Sequence, residues 1–156
     1  MAFRITGLAA EPFRHLYGLA DTALAEHGAI RYIADAPFSF PDRIEMRHAN
    51  RGESLLLINH VCQPADTPYH ASHAIFILEG AMRTYSGENE VPAVMTRRMQ
   101  SLRAFDDAGM MVDADVAEGE KAIVQVIERM FKNRKVSCIH GHNARQGCYS
   151  GLISRL

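Results

Sequence analysis

His140-Gly141-His142 sets two imidazoles two residues apart, which on a strand puts both on one face about 7 Å apart. Two such rings can share a divalent ion when a third ligand arrives from elsewhere, and His60, His70 and His73 are the histidines available. No carboxylate or third histidine stands at a diagnostic spacing, so the motif alone is weak and the pair reads first as hydrogen-bonded histidines flanking a turn. Cys148 lies in the same stretch, close to Arg145. A thiol becomes a nucleophile beside an imidazolium, a cation or a helix start; otherwise it packs as a small apolar group. Asn143-Ala144-Arg145-Gln146-Gly147 is a polar turn whose guanidinium fork and backbone N–H groups can hold a carboxylate or phosphate. It lacks the glycine spacing of a phosphate loop or a dinucleotide fingerprint, so no nucleotide is implied. Ser72 has no Gly-x-Ser-x-Gly elbow around it, which removes a serine-hydrolase reading.

Arg103 and Asp113 belong to a hairpin whose register can be argued. Residues 101–106 and 110–116 read as strands joined by Asp107-Ala108-Gly109, with Asp106 opening a type I turn and Gly109 in the left-handed bulge position. That loop pairs Asp106 with Met110, and hence Arg103 with Asp113 and Ser101 with Asp115. The face pattern agrees: Leu102, Ala104, Met110, Val112, Ala114 and Val116 share one side, and Arg103, Asp113 and Asp115 the other. Arg103 with Asp113 is then either a solvated cross-strand pair, worth under about 1 kcal/mol, or a guanidinium held at the floor of a cleft for an anionic substrate. Asp113-x-Asp115 is either a solvated strand edge or a pair of carboxylates fit for acid–base or metal work. Met110-Met111 reads as packing, and Arg97-Arg98 as a solvated helix face.

The elements that must position these groups alternate along the chain. Residues 3–6 form a strand. Pro12 opens a short helix with Phe13, Leu16 and Tyr17 on its apolar side. A second helix over 21–27 takes Asp21 as N-cap and Gly28 as its left-handed stop, and a strand follows over 29–34. Runs 43–48 and 53–60 flank Ala49-Asn50-Arg51-Gly52 as a hairpin. Leu55-Leu56-Leu57-Ile58 and Ala74-Ile75-Phe76-Ile77-Leu78 are apolar on both faces, so they are central and covered on both sides. Between them runs a two-proline loop over 63–70, a natural carrier of binding groups. A helix over 89–99 starts near Pro92. The clearest helix is 119–132, where Ala122, Ile123, Val126, Ile127, Met130 and Phe131 form one apolar stripe. Strands over 136–142 and 149–154 close the chain. The pattern gives an α+β fold, one domain, with a mainly antiparallel or mixed sheet and the 119–132 helix packed on it.

Composition narrows the function classes. In 156 residues, 17 basic against 18 acidic side chains leave a formal charge of −1, so no nucleic-acid-binding field is implied. The longest apolar runs are far too short to span a bilayer, so no membrane partner is expected. The N-terminus lacks the basic-then-apolar layout of a secretory signal. Cys62, Cys138 and Cys148 are odd in number and widely spaced, which suits reduced thiols in a cytoplasmic protein.

Asp66-Thr67-Pro68-Tyr69-His70-Ala71-Ser72-His73, Leu102-Arg103-Ala104-Phe105-Asp106, Gly109-Met110-Met111-Val112-Asp113 and Ile139-His140-Gly141-His142-Asn143-Ala144-Arg145-Gln146-Gly147-Cys148 resemble the bacterial family of domain of unknown function 1203. The resemblance runs over essentially the whole chain and implies no activity. Many relatives carry a cysteine where this chain has Asp42, so a mechanism resting on that thiol is not available here.

The leading expectation is a small-molecule enzyme or binder whose cleft joins residues 69–73, Arg103 with Asp113, and 140–148. Arg103 and Arg145 would hold an anionic group, and His73 or His140 would move a proton near neutral pH. Tyr69, His70, His142 and Asn143 are the further ligand contacts, and Cys148 and Asp113 the further catalytic candidates. No cofactor is called for. A non-catalytic interaction or structural domain, one able to form a homodimer, is the alternative, and a histidine-ligated metal enzyme the third.

Overall fold

The computed structural model describes residues 2–156. Its elements run β1 (Phe3–Thr6), a 3-10 turn (Glu11–Leu16), α1 (Asp21–Glu26), β2 (Ile30–Ile33), β3 (Ser54–Gln63), β4 (Ala71–Leu78), β5 (Ser86–Glu88), α2 (Ala93–Thr96), β6 (Gln100–Phe105), β7 (Met111–Ala117), α3 (Glu120–Phe131), β8 (Cys138–Asn143) and β9 (Tyr149–Arg155). Every strand pairing is antiparallel. One sheet has the order β5-β1-β9-β8-β6-β7 and the other β2-β3-β4. The fold class is therefore α+β, as the pattern of elements implies.

Strand alternation decides what each face of the large sheet meets. Leu102, Ala104, Ile139 and Ile153 point to one side, where Ile123, Ile127, Met130 and Phe131 of α3 close over them. Each such side chain contributes about 1.5–3 kcal/mol when fully buried, so this helix face is held firmly. Gly119, at φ +79°, caps the start of α3. The other side of the large sheet carries the polar series Arg103, His140 and His142, and there the small sheet approaches. Tyr149 of β9 packs into the second core with Leu55, Leu56, Ile58, Ile75 and Ile77 of β3 and β4. Leu24, Phe13 and Leu16 cover that core from the N-terminal segment.

Three β-bulges interrupt the ladders. Cys62 is the extra residue on β3, between Val61, opposite Ser72, and Gln63, opposite Ala71. Val112 is the extra residue on β7, and Ser150 on β9.

Several expectations change. Residues 43–48 form no strand, only the isolated bridge Pro41–His48, so Ala49 to Gly52 is not a two-strand hairpin; β3 pairs with β2 instead. The helix expected over 89–99 is the single turn of α2, because Asn89 turns back at φ +54° and β5 occupies the preceding residues. Ala20, not Asp21, caps α1, and Asp21 pairs with Arg31. The β6–β7 turn closes as expected, with the Asp106 N–H donating to Met110 O at 3.0 Å. Beyond it the bulge at Val112 moves the register by one, so that Arg103 faces Ala114 and Ala104 faces Asp113. Arg103 and Asp113 are therefore on opposite faces of the sheet.

Candidate functional site

The β6–β8 ladder builds the floor. Arg103 lies opposite His140 and Ser101 opposite His142, so period-two alternation puts both imidazoles and the guanidinium on the face turned toward the small sheet. The 63–70 loop forms a wall: Thr67 Oγ1 donates to Gly109 O at 3.3 Å, which fastens the loop to the β6–β7 turn. Cys62, Tyr69, His70, Arg103, His140 and His142 thereby share a cleft of about 230 Å³. Segments far apart in sequence converge in it.

The electrostatics of this cleft are one-sided. Burial pushes His140 down to about 4, and the nearby Arg103 charge adds to the effect. Burial likewise takes His142 down to about 3, against an opposing hydrogen bond from its ring to Gly147 O, with Arg103 again adding. His73 is lowered by burial and by Arg103. The rings are neutral near pH 7. Among the described residues, Arg103 has one hydrogen bond, from Nε to Ser101 Oγ at 3.3 Å, and no carboxylate in reach. His140 Nδ1 and His73 Nε2 are buried without a hydrogen-bond partner. His140 is wedged between aromatic rings, with Phe105 at 4.7 Å and Tyr149 at 5.5 Å between centroids.

His73 stands across from His60 on β4 and reaches His142, their ring centres 5.0 Å apart. It lines a second cavity of about 300 Å³ with Arg43, Arg98, Asn143 and Cys148. Arg43 is buried and turns Nη2 to Cys148 Sγ at 3.1 Å and Nε to Tyr149 O at 2.9 Å. Asn143 Nδ2 also donates to Cys148 Sγ, at 3.4 Å. Its Oδ1 accepts from Gln100 Nε2 and Ser150 Oγ, so this amide is fixed on every side. Two N–H donors thus converge on one sulfur.

Arg145 lies elsewhere. It lines a third cavity, of about 470 Å³, with Arg97, Arg98, Asn143, Phe38 and Glu118. Arg97 stacks on the Phe38 ring at 3.8 Å and Arg98 donates to Phe38 O at 2.8 Å, so the pair lines a cavity, with Arg97 exposed and Arg98 half-buried. Arg103 and Arg145 do not share a site. Asp113 leaves the candidate set as well: on the helix side of β7 it accepts from Arg129 Nη1 at 2.7 Å, and Asp115 accepts from Arg129 Nη2 at 3.0 Å.

Arg43, Cys62, Arg97 and Arg98 belong to these walls and were not among the residues expected from sequence. His60-x-Cys62 repeats the spacing of His140-x-His142, and that signal was available for Cys62. Nothing in the sequence around Arg43 marks it. For a metal, Cys62, His73 and His142 each offer a ligand atom within 4.8 Å of the others. Asp42 is buried, accepts a hydrogen bond from the Leu78 N–H at 2.7 Å and is raised by burial.

The family model described as protein of unknown function (DUF1203) matches residues 39–155, most of the chain, and the chain belongs to that family. No curated protein and no solved structure matches it.

Proposed function

We propose that this DUF1203 protein binds an anionic small molecule, a carboxylate or phosphate, in the cleft between its two sheets. Arg103 is the anchor and His140 a neutral hydrogen-bonding partner for the ligand. One observation carries the reading: a half-buried guanidinium without a carboxylate faces three imidazoles that burial keeps neutral. An anion supplies the missing counter-charge, and both NH2 groups of the fork remain to bind it. His140, neutral and with Nδ1 unpaired, can donate a ring N–H to a bound anion or, as the other tautomer, accept a hydrogen bond from a ligand hydroxyl. Titration calorimetry with a panel of small carboxylates and phosphates tests this at low salt. At least one ligand binds the wild type, and Arg103→Ala weakens it by roughly 10-fold or more, the worth of a charge-assisted bond. Equal affinity in the two proteins would end the reading.

A second reading, a homodimer, is favoured by the edge strand β2. Ile30 and Ile33 are 56% exposed there, beside Tyr32, and an uncovered apolar edge invites strand pairing with a second copy. Light scattering on the wild type and on Ile33→Lys decides it: a dimer that the lysine dissolves supports it, and a monomeric wild type removes it.

A further inference from the structure

The geometry points to a zinc-class metal site formed by Cys62, His73 and His142, with its fourth position open to the cleft. The three residues come from β3, β4 and β8, so the site would tie the small sheet to the large one. Their ligand atoms lie within 4.8 Å of one another. Donors around tetrahedral zinc, at bonds of about 2.0–2.3 Å, stand roughly 3.3–3.8 Å apart. Closing the set therefore needs about 1 Å of side-chain movement, which rotamer adjustment supplies.

Each ligand is prepared in its own way. His142 Nδ1 lies 3.0 Å from Gly147 O. A carbonyl only accepts, so Nδ1 carries the proton and Nε2 keeps its lone pair, the tautomer that metal-binding histidines are given by their outer partners. His73 Nε2 is buried with no hydrogen-bond partner, a cost the fold carries with no return from its own groups. Cys62 is the extra residue of the β3 bulge, and bulges re-aim a side chain beside a site. Its sulfur donates to Ala71 O at 3.5 Å. A thiol with two neutral imidazoles suits zinc rather than magnesium or calcium. On binding, the Cys62 S–H bond breaks, its proton leaves to solvent and sulfur bonds to the metal.

One thiolate against a divalent ion leaves a net positive centre, and Arg103 stands beside it. The fourth position therefore favours an anion or hydroxide over a neutral ligand. The inference stands apart from the anion reading, because what it predicts is bound metal.

The test is cobalt(II) titration of untagged protein after chelator treatment, followed by absorbance. One equivalent binds and gives the near-ultraviolet band of a thiolate–cobalt bond with the visible bands of a tetrahedral ion. Cys62→Ser and Cys62→Ala both abolish the near-ultraviolet band. His73→Gln weakens zinc, measured against a chromophoric chelator, by more than about 100-fold, since even outer partners are worth 10–100-fold. Cys138→Ser leaves the band in place. A wild type that gives no such band, or a band that survives both Cys62 substitutions, overturns the inference whether or not Arg103 holds an anion.

Discussion

Gly109 decides how closely the β6–β7 hairpin meets the loop that walls the cleft. Its φ is +79°, and a Cβ placed on it would stand 2.3 Å from the Cβ of Ala65. Two carbon atoms rest at about 3.5–4.0 Å, so Gly109→Ala forces a displacement of about 1.5 Å on a side chain that has no rotamer to escape into. The left-handed backbone costs alanine about 1–2 kcal/mol, and overpacking a further 1–3 kcal/mol or so. The expected loss is about 2–5 kcal/mol. Gly52 separates the two contributions, because it has φ +90° and nothing within 4 Å of its added Cβ. Gly52→Ala should therefore show the backbone cost alone. Ala65→Gly removes the colliding methyl, so a double-mutant cycle with Gly109→Ala should return at least about 1 kcal/mol of coupling. Urea denaturation of the four proteins measures this. The loop carries Tyr69 and His70, so Gly109→Ala should also weaken any cleft ligand, while Gly52→Ala should not. Equal losses at Gly109 and Gly52, or coupling below about 0.3 kcal/mol, would refute the reasoning.

Three more outcomes follow from the same geometry. Glu79 accepts from Arg31 Nε and Nη2 at 2.9 and 2.8 Å, from the Gly18 N–H at 2.9 Å and from Ser54, and its carboxyl is held to about 2 against 4.5. A folded value below the unfolded one gives stability that is complete above pH 4.5 and lost as pH falls toward 2. Glu79→Gln should cost about 1–2 kcal/mol at pH 7 after solvent screening, and its deficit in urea denaturation should shrink below pH 4; a constant deficit contradicts this. The observed register predicts coupling of about 0.2–1 kcal/mol between Arg129 and Asp113 and none between Arg103 and Asp113; a double-mutant cycle giving the reverse would restore the unbulged hairpin. His140→Leu removes a buried ring nitrogen without a partner, a feature costing about 1–3 kcal/mol. The variant should be at least as stable as the wild type while losing the cleft ligand, and a large loss of stability would mean that His140 serves the fold alone.

The parts of the site that were legible in the sequence are those set by local chemistry. His140-x-His142 share a face because strand side chains alternate, and they do so here on β8. Asp106 and Gly109 make the turn their types demand, with Asp106 Oδ1 accepting from the Ala108 and Met110 N–H groups. What alternation could not reveal is the extra residue at Val112. Val112, Ala114 and Val116 look like an inward apolar face, yet they sit exposed on the edge strand β7, and Asp113 and Asp115 turn to the helix side because Arg129 of α3 reaches them there. Inward charges are also how an edge strand resists pairing with another chain. Arg43 was invisible for a related reason. The residues around it alternate like a strand, but the segment is an irregular passage whose arginine is buried against Tyr149 O and Cys148 Sγ, contacts more than a hundred residues away in the chain.

The breaks in regularity are not scattered. The bulge at Cys62 sits at the cleft end of β3, that at Val112 follows the turn which holds the cleft loop, and that at Ser150 lies between Tyr149 and the fixed amide of Asn143. Each gives up a regular ladder position, and beside them His73 and His140 leave buried nitrogens unpaired. A sequence selected for stability alone would exchange those nitrogens for carbon, since each costs about 1–3 kcal/mol and the surroundings of His140 are already aromatic. The helix side of the same sheet shows what that solution looks like: Leu102, Ala104, Ile139 and Ile153 packed under α3. One sheet therefore carries two opposite treatments of its faces. The apolar face packs one of the two cores of the fold, and beside the polar face ring nitrogens of His140 and His73 stay buried without a partner.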